Sequence, residues 1–451
     1  MESGKKIPKL KRKISLFGLT AYGVGNVLGA GIYALIGEVV GITGNLSWLA
    51  FILAAITGAF TGLSYAELSA MYPKSAAEFV YTEQAFNRRI LSFILGWIII
   101  FSGILSASTV ALGFAGYISD ILGIDISTMK IIFAIYLILI LSVINFIGIK
   151  TSTRMNIIFT IIEASGLIFI IVIGIPHIGS VNYFEMPTLN SFEAIFSAVA
   201  LIFFAYIGFE DIANVAEEVK EPQRKLPKAI VISILITTIL YCLTAISVVS
   251  ILPYSTIAAS DAPLREVANE VLGPIGANVI SLIALFATAN TVLIMLIVTS
   301  RMIYGMARDK ALPEELSKIS PKNRIPISAA LFTMIFTIIS VLFGDITIVA
   351  NATVFGVLIT FFLVNISLIA LRKNKPELER PFKLKPSIGW VPIIALLGSI
   401  VCAALLFTFE WYIYIIQIII IGIGIILFYV MRSKIETKAL SKIQRDKEIK
   451  N

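Results

Sequence analysis

Residues 23–33 read Gly23-Val24-Gly25-Asn26-Val27-Leu28-Gly29-Ala30-Gly31-Ile32-Tyr33. This stretch lies inside an apolar run from Leu16 to Val40, which is long enough to cross a bilayer. It contains four glycines, and each costs up to ~1 kcal/mol of helix stability relative to alanine. A membrane-spanning helix with such a weak centre is predicted to break there.

Two interpretations of these glycines are open. If Gly29-Ala30-Gly31 unwinds at the middle of the membrane, the freed N–H and C=O groups must line a cavity and bind something, because lipid cannot satisfy them. The N-terminus of the second half-helix would then offer N–H donors to an anionic group. The alternative is a close-packed helix interface, since the spacing of Gly25 and Gly29 fits the small-xxx-small pattern.

The composition is that of a membrane protein. The chain has 451 residues, of which 58% are hydrophobic and only 14% charged, and its mean hydropathy is +0.94. These values exclude a soluble domain and predict an all-α polytopic membrane protein with little mass outside the bilayer. Runs of ~20 apolar residues predict twelve transmembrane helices. The predicted spans are 15–40, 46–70, 91–118, 130–149, 154–175, 193–217, 228–252, 274–303, 327–344, 347–371, 391–408 and 411–431.

The positions of the basic residues give the predicted orientation. With the N-terminus inside, 34 of the 36 Lys and Arg residues fall in cytoplasmic segments, and only Lys130 and Arg265 fall in external loops. This asymmetry predicts an even number of spans, with both termini cytoplasmic, in the cell (plasma) membrane. The net charge of +8 therefore reflects topology and contact with anionic membrane lipids, and it does not indicate nucleic-acid binding.

The sixth predicted span contains a second interruption. It reads Phe203-Phe204-Ala205-Tyr206-Ile207-Gly208-Phe209-Glu210-Asp211, with a glycine and two acidic residues inside an otherwise apolar helix. Interrupted helices at corresponding positions in two halves of a chain indicate an inverted-repeat transporter with its binding site at the membrane midplane. The second interruption therefore favours the binding-site interpretation of residues 23–33.

Three polar residues inside predicted spans are candidate functional groups: Glu163, Thr288 and Asn290. A carboxylate within a span is costly unless it is paired or protonated. Glu163 is therefore either a proton site or cation partner, or a neutral hydrogen-bonded residue packed between helices. The oxygens of Thr288 and Asn290 could bind Na⁺ or an ammonium group, with hydrogen bonding inside their own helix as the alternative.

The rest of the chain lacks the pattern of an enzyme, and no cofactor is predicted. The only histidine, His177, lies in a predicted external loop, and one histidine cannot form a metal cluster or a catalytic triad. Residues 79–90 mix aromatic and charged side chains. This mixture predicts an amphipathic helix lying along the inner membrane interface.

Three motifs resemble the amino acid–polyamine–organocation transporter superfamily, and together they cover essentially the whole chain. The motifs are residues 25–33 followed by Gly37-Glu38, residues 204–210 with 217–222, and residues 300–309. The first has the form seen in cationic amino acid transporter relatives. Each motif is moderately specific, and their order at helices one, six and eight makes the resemblance strong.

The resemblance implies a LeuT-like fold, with a five-plus-five inverted repeat, helices 1 and 6 unwound, and two peripheral helices. The implied regions are a cytoplasmic basic N-terminus (1–14), the first repeat (15–175), the second repeat (193–371), helices 11 and 12 (391–431) and a cytoplasmic basic tail (432–451).

The resemblance also implies that an α-amino acid binds between helices 1 and 6. The implied substrate-binding residues are Val27, Gly29, Ala30, Gly31, Ile32, Phe204 and Ile207. The backbone amides of the three residues after Gly29 would hold the carboxylate. The carbonyls of Val27, Phe204 and Ile207 would accept hydrogen bonds from the ammonium group, and the Phe204 ring would act as a gate over the substrate.

One position departs from part of the superfamily. Several proton-coupled members and some exchangers carry a lysine at the site aligned with Glu163, where its ammonium takes the place of a sodium ion. We favour protons over Na⁺ as the coupling ion, because burial favours the protonated form of a carboxyl group. Glu210, beside the sixth-helix break, is a second coupling candidate. Its charge would favour a cationic substrate, unless it faces the cytoplasmic pathway as a gate.

We therefore expect a secondary active amino acid transporter that works by alternating access, with proton symport as the favoured mode. The alternatives are an exchanger of amino acids or amines and a substrate-binding sensor on the same scaffold. Uptake into empty liposomes separates symport from exchange, and binding without flux would indicate a sensor. The sequence leaves open which amino acid is carried and how many chains assemble.

Overall fold

The structure is a computed structural model that describes residues 10–122, 127–187, 191–260, 262–343 and 346–448. Its helices are α1 (Leu16–Thr43), α2 (Ser47–Met71), α3 (Ala77–Phe86), α4 (Arg89–Leu122), α5 (Ser127–Ile147), α6 (Ile149–Gly174), α7 (Ser191–Tyr206), α8 (Asp211–Asn214), α9 (Pro222–Ile251), α10 (Tyr254–Ala258), α11 (Pro263–Arg308), α12 (Ile327–Phe343), α13 (Ile346–Asn374), α14 (Ile393–Leu406) and α15 (Trp411–Glu448). A 3₁₀ turn (Ala216–Glu218) follows α8. Strands β1 (Ser387–Ile388) and β2 (Val391–Pro392) form a short antiparallel hairpin before α14.

Nine segments within the described ranges are long and apolar enough to cross a membrane. Three shorter apolar helices, Ala194–Phe203, Ile327–Leu342 and Ile393–Leu406, fall where the sixth, ninth and eleventh spans are predicted. The chain is therefore an all-α polytopic membrane protein, as its composition predicts. The count of twelve crossings stays a prediction.

Two predicted segments differ from the structure. The predicted eighth span begins at residue 274, whereas α11 begins at Pro263 and continues through Gly273, where φ is 65° and ψ is −159°. Glycine tolerates this positive φ, so the helix resumes after a kink that hydropathy cannot detect. A helix is present where the interfacial helix of residues 79–90 is predicted, but it ends at Phe86, and its place along the membrane interface stays a prediction. Those residues overlap α3, whose side chains from Ala77 to Thr82 are buried because α4 and α13 pack over them.

Helix α1 lies at the centre of the bundle and packs against α6, α7, α9 and α11. Its apolar residues Leu19, Leu28, Ile32 and Ile36 are fully buried. By contrast, α15 exposes several large apolar side chains, as expected for a helix that faces lipid. The helix with the weakest sequence centre is therefore surrounded by other helices.

The N-terminal segment closes one end of the bundle, which we call the N-terminal face. The backbone N–H groups of Lys13 and Ile14 donate to the carbonyl oxygen of Glu218 at 2.8 and 3.0 Å. Beside them, the Arg301 guanidinium donates two hydrogen bonds of 3.1 and 3.2 Å to the Glu218 carboxylate, and both side chains are fully buried. Backbone pairing and a buried ion pair thus connect α1, the 3₁₀ turn and α11.

Two further acidic residues at the N-terminal face are also paired with arginines. Glu217 forms an ion pair with Arg308, and it accepts a hydrogen bond from the backbone N–H of Ser75 at 3.0 Å. Glu67 is fully buried, and its Oε1 accepts from Nε of Arg372 at 3.0 Å. Glu67, Glu217 and Glu218 are therefore all held as ion pairs at this face.

The opposite end of the bundle is covered by the loop between α6 and α7. Asn45 donates from Nδ2 to the carbonyl of Asn182 at 3.1 Å, and the Trp48 indole donates to the carbonyl of Tyr183 at 3.2 Å. The Tyr183 hydroxyl also lies 2.8 Å from Oγ of Ser250 at the end of α9. This loop therefore joins the start of α2 to the end of α9.

The Glu218–Arg301 pair predicts a stability effect. Replacing Arg301 by Met leaves the Glu218 carboxylate buried without a counter-charge, which should cost about 3–5 kcal/mol of unfolding free energy. The double variant Arg301→Met/Glu218→Leu should recover most of this loss, because no charge remains buried. Melting temperatures of the purified variants test both statements, and an unchanged melting temperature for Arg301→Met would contradict the first.

Candidate functional site

The first break divides α1 at Gly29, where φ is 18° and ψ is −161°. The chain is helical on both sides, so α1 consists of two half-helices joined at this residue. The hydrogen bonds that would cross the joint are lost, which frees carbonyls at the end of the first half and N–H groups at the start of the second. The joint therefore offers both donors and acceptors inside the bundle.

The second break separates α7 from α8. Helix α7 ends at Tyr206 and α8 begins at Asp211, so residues 207–210 interrupt the predicted sixth span. Within this turn Gly208 has a φ of 127°, a region that favours glycine. A Cβ atom at this position would also lie only 2.7 Å from Nδ2 of Asn26. Both the backbone angle and the available space require glycine here.

The two breaks lie against each other. Asn26 in the first half of α1 donates from Nδ2 to the carbonyl of Gly208 at 2.9 Å. In the second half, a Cβ atom on Gly31 would lie 3.1 Å from Cα of Ala205. The sequence predicts two interruptions, and the structure brings them together at backbone contact distance.

Tyr241 on α9 connects the two breaks, and sequence reasoning missed it. Its buried hydroxyl lies 2.6 Å from the carbonyl oxygen of Val27, 3.3 Å from that of Leu28 and 3.2 Å from that of Ala205. A hydroxyl has one proton to donate, so three carbonyls from two helices share a single donor. The only signal in the sequence was a tyrosine deep in an apolar span, since tyrosine is more often found at membrane interfaces.

The predicted substrate-binding residues all lie at or beside the two breaks. Val27, Gly29, Ala30, Gly31 and Ile32 flank the joint in α1, Phe204 lies in the last turn of α7, and Ile207 lies in the turn that follows. The side chains of Ala30 and Phe204 fall outside the described part of the structure, so the gating role of Phe204 stays a prediction. The Val27 carbonyl, which was predicted to bind an ammonium group, already accepts from Tyr241.

A polar cluster lies where α1, α6 and α11 meet, and we call it the α6–α11 polar cluster. Its members are the buried residues Asn156, Thr160, Glu163 and Asn290. Nδ2 of Asn290 donates to Oγ1 of Thr160 at 3.1 Å and to Oε2 of Glu163 at 3.4 Å, while Oδ1 of Asn290 accepts from Asn156 at 2.8 Å. Asn290 thus joins α11 to three residues of α6.

Glu163 lacks a counter-charge within the described residues. The ion pairs found there do not include it, and its Oε1 atom has no hydrogen-bond partner. A buried carboxylate in this situation is costly, so a proton or a bound cation must accompany it. The Tyr33 hydroxyl donates to the Glu163 backbone carbonyl at 2.8 Å, which links the second half of α1 to this position.

Gly25 brings the α6–α11 polar cluster against α1. A Cβ atom there would lie 2.0 Å from Oγ1 of Thr160 and 2.5 Å from Nδ2 of Asn290. The Thr160 hydroxyl donates to the carbonyl of Ala21, one turn earlier in α1, at 3.1 Å. Close packing therefore explains Gly25, and the break explains Gly29, so each interpretation of the glycines applies to a different residue.

The threonines of α11 differ in their surroundings. The Thr288 hydroxyl donates to the carbonyl of Ala284 in its own helix at 2.9 Å, which is the intrahelical alternative foreseen for it. Thr291 also bonds within its helix, to Ala287 at 3.3 Å. However, a Cβ atom on Gly29 would lie 2.8 Å from Oγ1 of Thr291, so Thr291 faces the α1 joint.

The Glu210 side chain forms a hydrogen bond within the second break. Its Oε2 atom accepts from the backbone N–H of Gly208 at 2.7 Å, and the residue is buried. The next residue, Asp211, accepts from Nδ2 of Asn26. Both acids are therefore used within the contact between the breaks, and the coupling role predicted for Glu210 stays a prediction.

A family model described as an amino acid permease matches residues 14–433. The chain belongs to the amino acid permease family. The match spans both breaks and the α6–α11 polar cluster. The superfamily resemblance of the three sequence motifs is thereby confirmed.

Relatives that match most of the permease are found in bacteria and plants. It is 30% identical over 452 residues to the branched-chain amino acid permease BcaP of Bacillus subtilis (strain 168), covering 96% of this chain and 95% of the relative. It is 26% identical over 450 residues to the methylthioribose transporter of the same organism, covering 96% of each. It is 30% identical over 394 residues to cationic amino acid transporter 3, mitochondrial, of Arabidopsis thaliana, covering 83% of this chain and 64% of the relative.

The family and these relatives are transporters, so the permease is a multi-pass membrane carrier and not an enzyme. Within the described residues, no group of three or more His, Cys, Asp or Glu side chains is arranged to hold a metal. The site provides hydrogen-bonding backbone groups at the two breaks and the buried carboxyl group of Glu163.

The close approach at Gly25 predicts a matched pair of effects. Gly25→Ala places a methyl group against Thr160 and Asn290, and this overpacking should cost about 1–3 kcal/mol of unfolding free energy. Gly113→Ala in α4 adds the same methyl group where nothing lies within 4 Å, so it should be neutral or stabilise the helix by up to ~1 kcal/mol. Equal melting temperatures for the two purified variants would contradict the close approach.

Proposed function

We propose that the permease moves amino acids across the cell membrane by alternating access, with proton symport as its mode. The observation that carries this proposal is the contact between two helix breaks, one at Gly29 and the other at residues 207–210, inside the bundle. Free backbone groups at this depth are tolerated where they line a binding site. The family membership supports transport as the purpose of that site.

The proposed site recognises the two ends common to all α-amino acids. The carboxylate binds the amides of residues 30–32, at the N-terminus of the second half-helix, where the helix dipole is positive. The ammonium group binds the carbonyls of Val27, Phe204 and Ile207. Since Tyr241 now lies 2.6 Å from the Val27 carbonyl oxygen, the ammonium either displaces the Tyr241 hydroxyl or uses the second lone pair of this oxygen.

The contacts favour a neutral substrate side chain. Glu210 accepts from its own turn and Asp211 accepts from Asn26, so both acids are already engaged at the second break. The relatives alone do not decide this point, because one is named for branched-chain and another for cationic amino acids. We therefore infer that neutral amino acids are the preferred class.

Glu163 is the proposed proton carrier. Its Oε1 atom has no partner, so a proton on the carboxyl group would remove an uncompensated buried charge. Na⁺ is the second choice, because hard cations need several oxygen ligands. In this cluster Oδ1 of Asn290 already accepts from Asn156, and the Thr288 hydroxyl, outside the cluster, bonds within its helix.

The proposed architecture has twelve crossings, with residues 15–175 and 193–371 as the two inverted repeats. Three short apolar helices at the positions of the sixth, ninth and eleventh predicted spans support this count. The N-terminal face is then cytoplasmic, as the distribution of basic residues predicts. Access from the cytoplasm requires the ion pairs and backbone bonds of that face to separate.

A thermal-shift screen tests the substrate proposal. A substrate stabilises the native state by RT ln(1 + [L]/Kd), which is about 2.7 kcal/mol at a concentration of 100 Kd. We expect neutral amino acids to raise the melting temperature of the purified permease in a concentration-dependent manner. Gly29→Val should abolish this shift, because a Cβ atom there meets Thr291 at 2.8 Å.

The matched control for this screen is Gly113→Val, which makes the same change where a Cβ atom meets nothing within 4 Å. It should keep the shift. A shift with polyamines or methylthioribose but with no amino acid would contradict the proposed binding of a substrate carboxylate by the amides of residues 30–32. In that case the permease would carry organic cations or sugar derivatives on the same scaffold.

Glu163→Gln tests proton coupling. In proteoliposomes, the wild-type permease should accumulate substrate into an empty lumen when a proton gradient is imposed. The variant should lose gradient-driven accumulation by tenfold or more, an effect of about 1.4 kcal/mol or more. It should keep exchange against substrate already in the lumen, because glutamine preserves the hydrogen bond to Asn290.

Other transport outcomes identify the alternatives. If the wild-type permease takes up nothing until its lumen is loaded, it is an obligate exchanger. If it binds substrate but shows neither uptake nor exchange, the sensor interpretation is correct. Accumulation driven by a sodium gradient at equal pH would assign the α6–α11 polar cluster to Na⁺.

A further inference from the structure

The carboxyl group of Asp211 has a position that substrate binding and Glu163 leave unexplained. Asp211 is buried at the start of α8, on the side of the second break that leads to the N-terminal face. Among the described residues, it forms no ion pair. A buried carboxyl group without a counter-charge needs another means of neutralisation.

The side-chain amide of Asn26, which contacts Asp211, also indicates that a proton binds here. Its Nδ2 atom donates to Oδ2 of Asp211 and to the carbonyl of Gly208. Its Oδ1 atom has no donor, although the residue is only 4% exposed. An unsatisfied buried acceptor costs about 1–3 kcal/mol. A protonated carboxyl group can form two hydrogen bonds with an amide, since it accepts one from the amide N–H and donates its proton to the amide oxygen. Asp211 already accepts the first bond from Asn26. A proton on Asp211 would supply the second bond, to Oδ1 of Asn26.

Two neighbouring acids, Glu78 and Glu210, make a negative charge on Asp211 more costly. Glu78 on α3 is fully buried, lies within electrostatic range of both Glu210 and Asp211, and is likewise outside the described ion pairs. Its carboxylate oxygens accept from Asn214 at 3.1 and 3.2 Å and from Tyr65 at 3.1 Å. Burial raises the pKa of Glu78, and the hydrogen bonds it accepts oppose this shift.

Among the described residues around Asp211, no basic side chain is free of another acidic partner. The titratable and charged groups around it are Tyr22 on α1, Tyr65 on α2, Glu78 and Tyr81 on α3, Glu210 in the preceding turn, Glu218 in the 3₁₀ turn and Arg301 on α11. Arg301 is committed to Glu218 by two hydrogen bonds. The hydroxyls of Tyr22 and Tyr81 are buried and have no partner in the described structure. Glu78, Glu210 and Asp211 therefore share a region in which the one arginine among the described residues is already paired with a fourth acid, Glu218.

A change in hydration links this region to transport. With the N-terminal face closed, Asp211 is buried, and burial favours the neutral acid. When that face opens, water reaches α8 and stabilises the carboxylate. The closed state therefore binds more protons than the open state, and by linkage a rising pH favours opening.

We propose that Asp211 is a proton-binding site, formed with Asn26 and reinforced by Glu78 and Glu210, that must release its proton before the N-terminal face opens. This inference rests on the proposed alternating access, but not on the identity of the substrate. It is separate from Glu163, which lies in the α6–α11 polar cluster.

The test measures how fast a buried cysteine becomes accessible at the N-terminal face. Ser75 is fully buried and its hydroxyl has no partner, so Ser75→Cys should be tolerated. Cys242 and Cys402 are replaced by alanine, and a maleimide reports the labelling rate without substrate. Each rate is divided by that of Lys322→Cys, an exposed position on the same face, which corrects for ionisation of the thiol.

The corrected wild-type rate should rise about fivefold or more between about pH 5.5 and about pH 8. Asp211→Asn carries a permanent neutral amide, so its rate should stay low at both pH values. Glu78→Gln removes a neighbouring like charge and should move the midpoint of the rise about one unit lower in pH. Glu314→Gln changes an exposed acid on the same face and should match the wild type.

Three results would overturn the proposal. Labelling that is equal at both pH values in the wild type, or an Asp211→Asn profile identical to the wild type, would remove the proton site while leaving alternating access intact. The absence of labelling at every pH would overturn the opening of this face as well. A variant that fails to bind substrate in the thermal-shift screen but shows normal pH-dependent labelling would separate the two functions.

Discussion

The structure depends on one constraint: a backbone group freed from its helix inside the membrane must find a partner within the protein. Gly29 breaks α1, and residues 207–210 interrupt the chain between α7 and α8. The groups released there are held by side chains from other helices, with Tyr241 contacting carbonyls of both breaks and Asn26 donating to Gly208. The broken helices are therefore kept at the centre of the bundle, where other helices can supply those partners.

Glycine makes this arrangement possible in two different ways. At Gly25 the missing side chain lets polar residues of α6 and α11 approach α1, whereas at Gly208 the positive φ itself requires glycine. Gly208 thus permits the second break, and Gly25 lets the α6–α11 polar cluster, which contains the buried carboxyl group of Glu163, pack against α1. A substrate at the break and a proton on Glu163 would both act on α1, which provides a physical route for coupling.

The buried acids divide into two groups. At the N-terminal face, Glu67 and Glu218 are neutralised by arginines. Nearer the breaks, Glu78, Glu163 and Asp211 have only neutral partners among the described residues. Ion pairs stabilise a closed face, and they must be separated to open it. Acids with neutral partners can instead change charge when water reaches them. The protein thus combines fixed ion pairs at one face with buried acids whose charge the proposed opening would change.

The sequence by itself determined the membrane class, the position of most helices, both interruptions and the family, because hydropathy and glycine content act locally along the chain. It also identified Glu163 and Asn290 as polar residues inside spans. Only the tertiary structure decided which atoms meet. The contacts of Tyr241, the pairing of Asn26 with Asp211 and the burial of α3 join segments far apart in the chain, and no local pattern encodes them. Helix packing decides such contacts, because a buried polar atom takes its partner from whichever helix lies beside it.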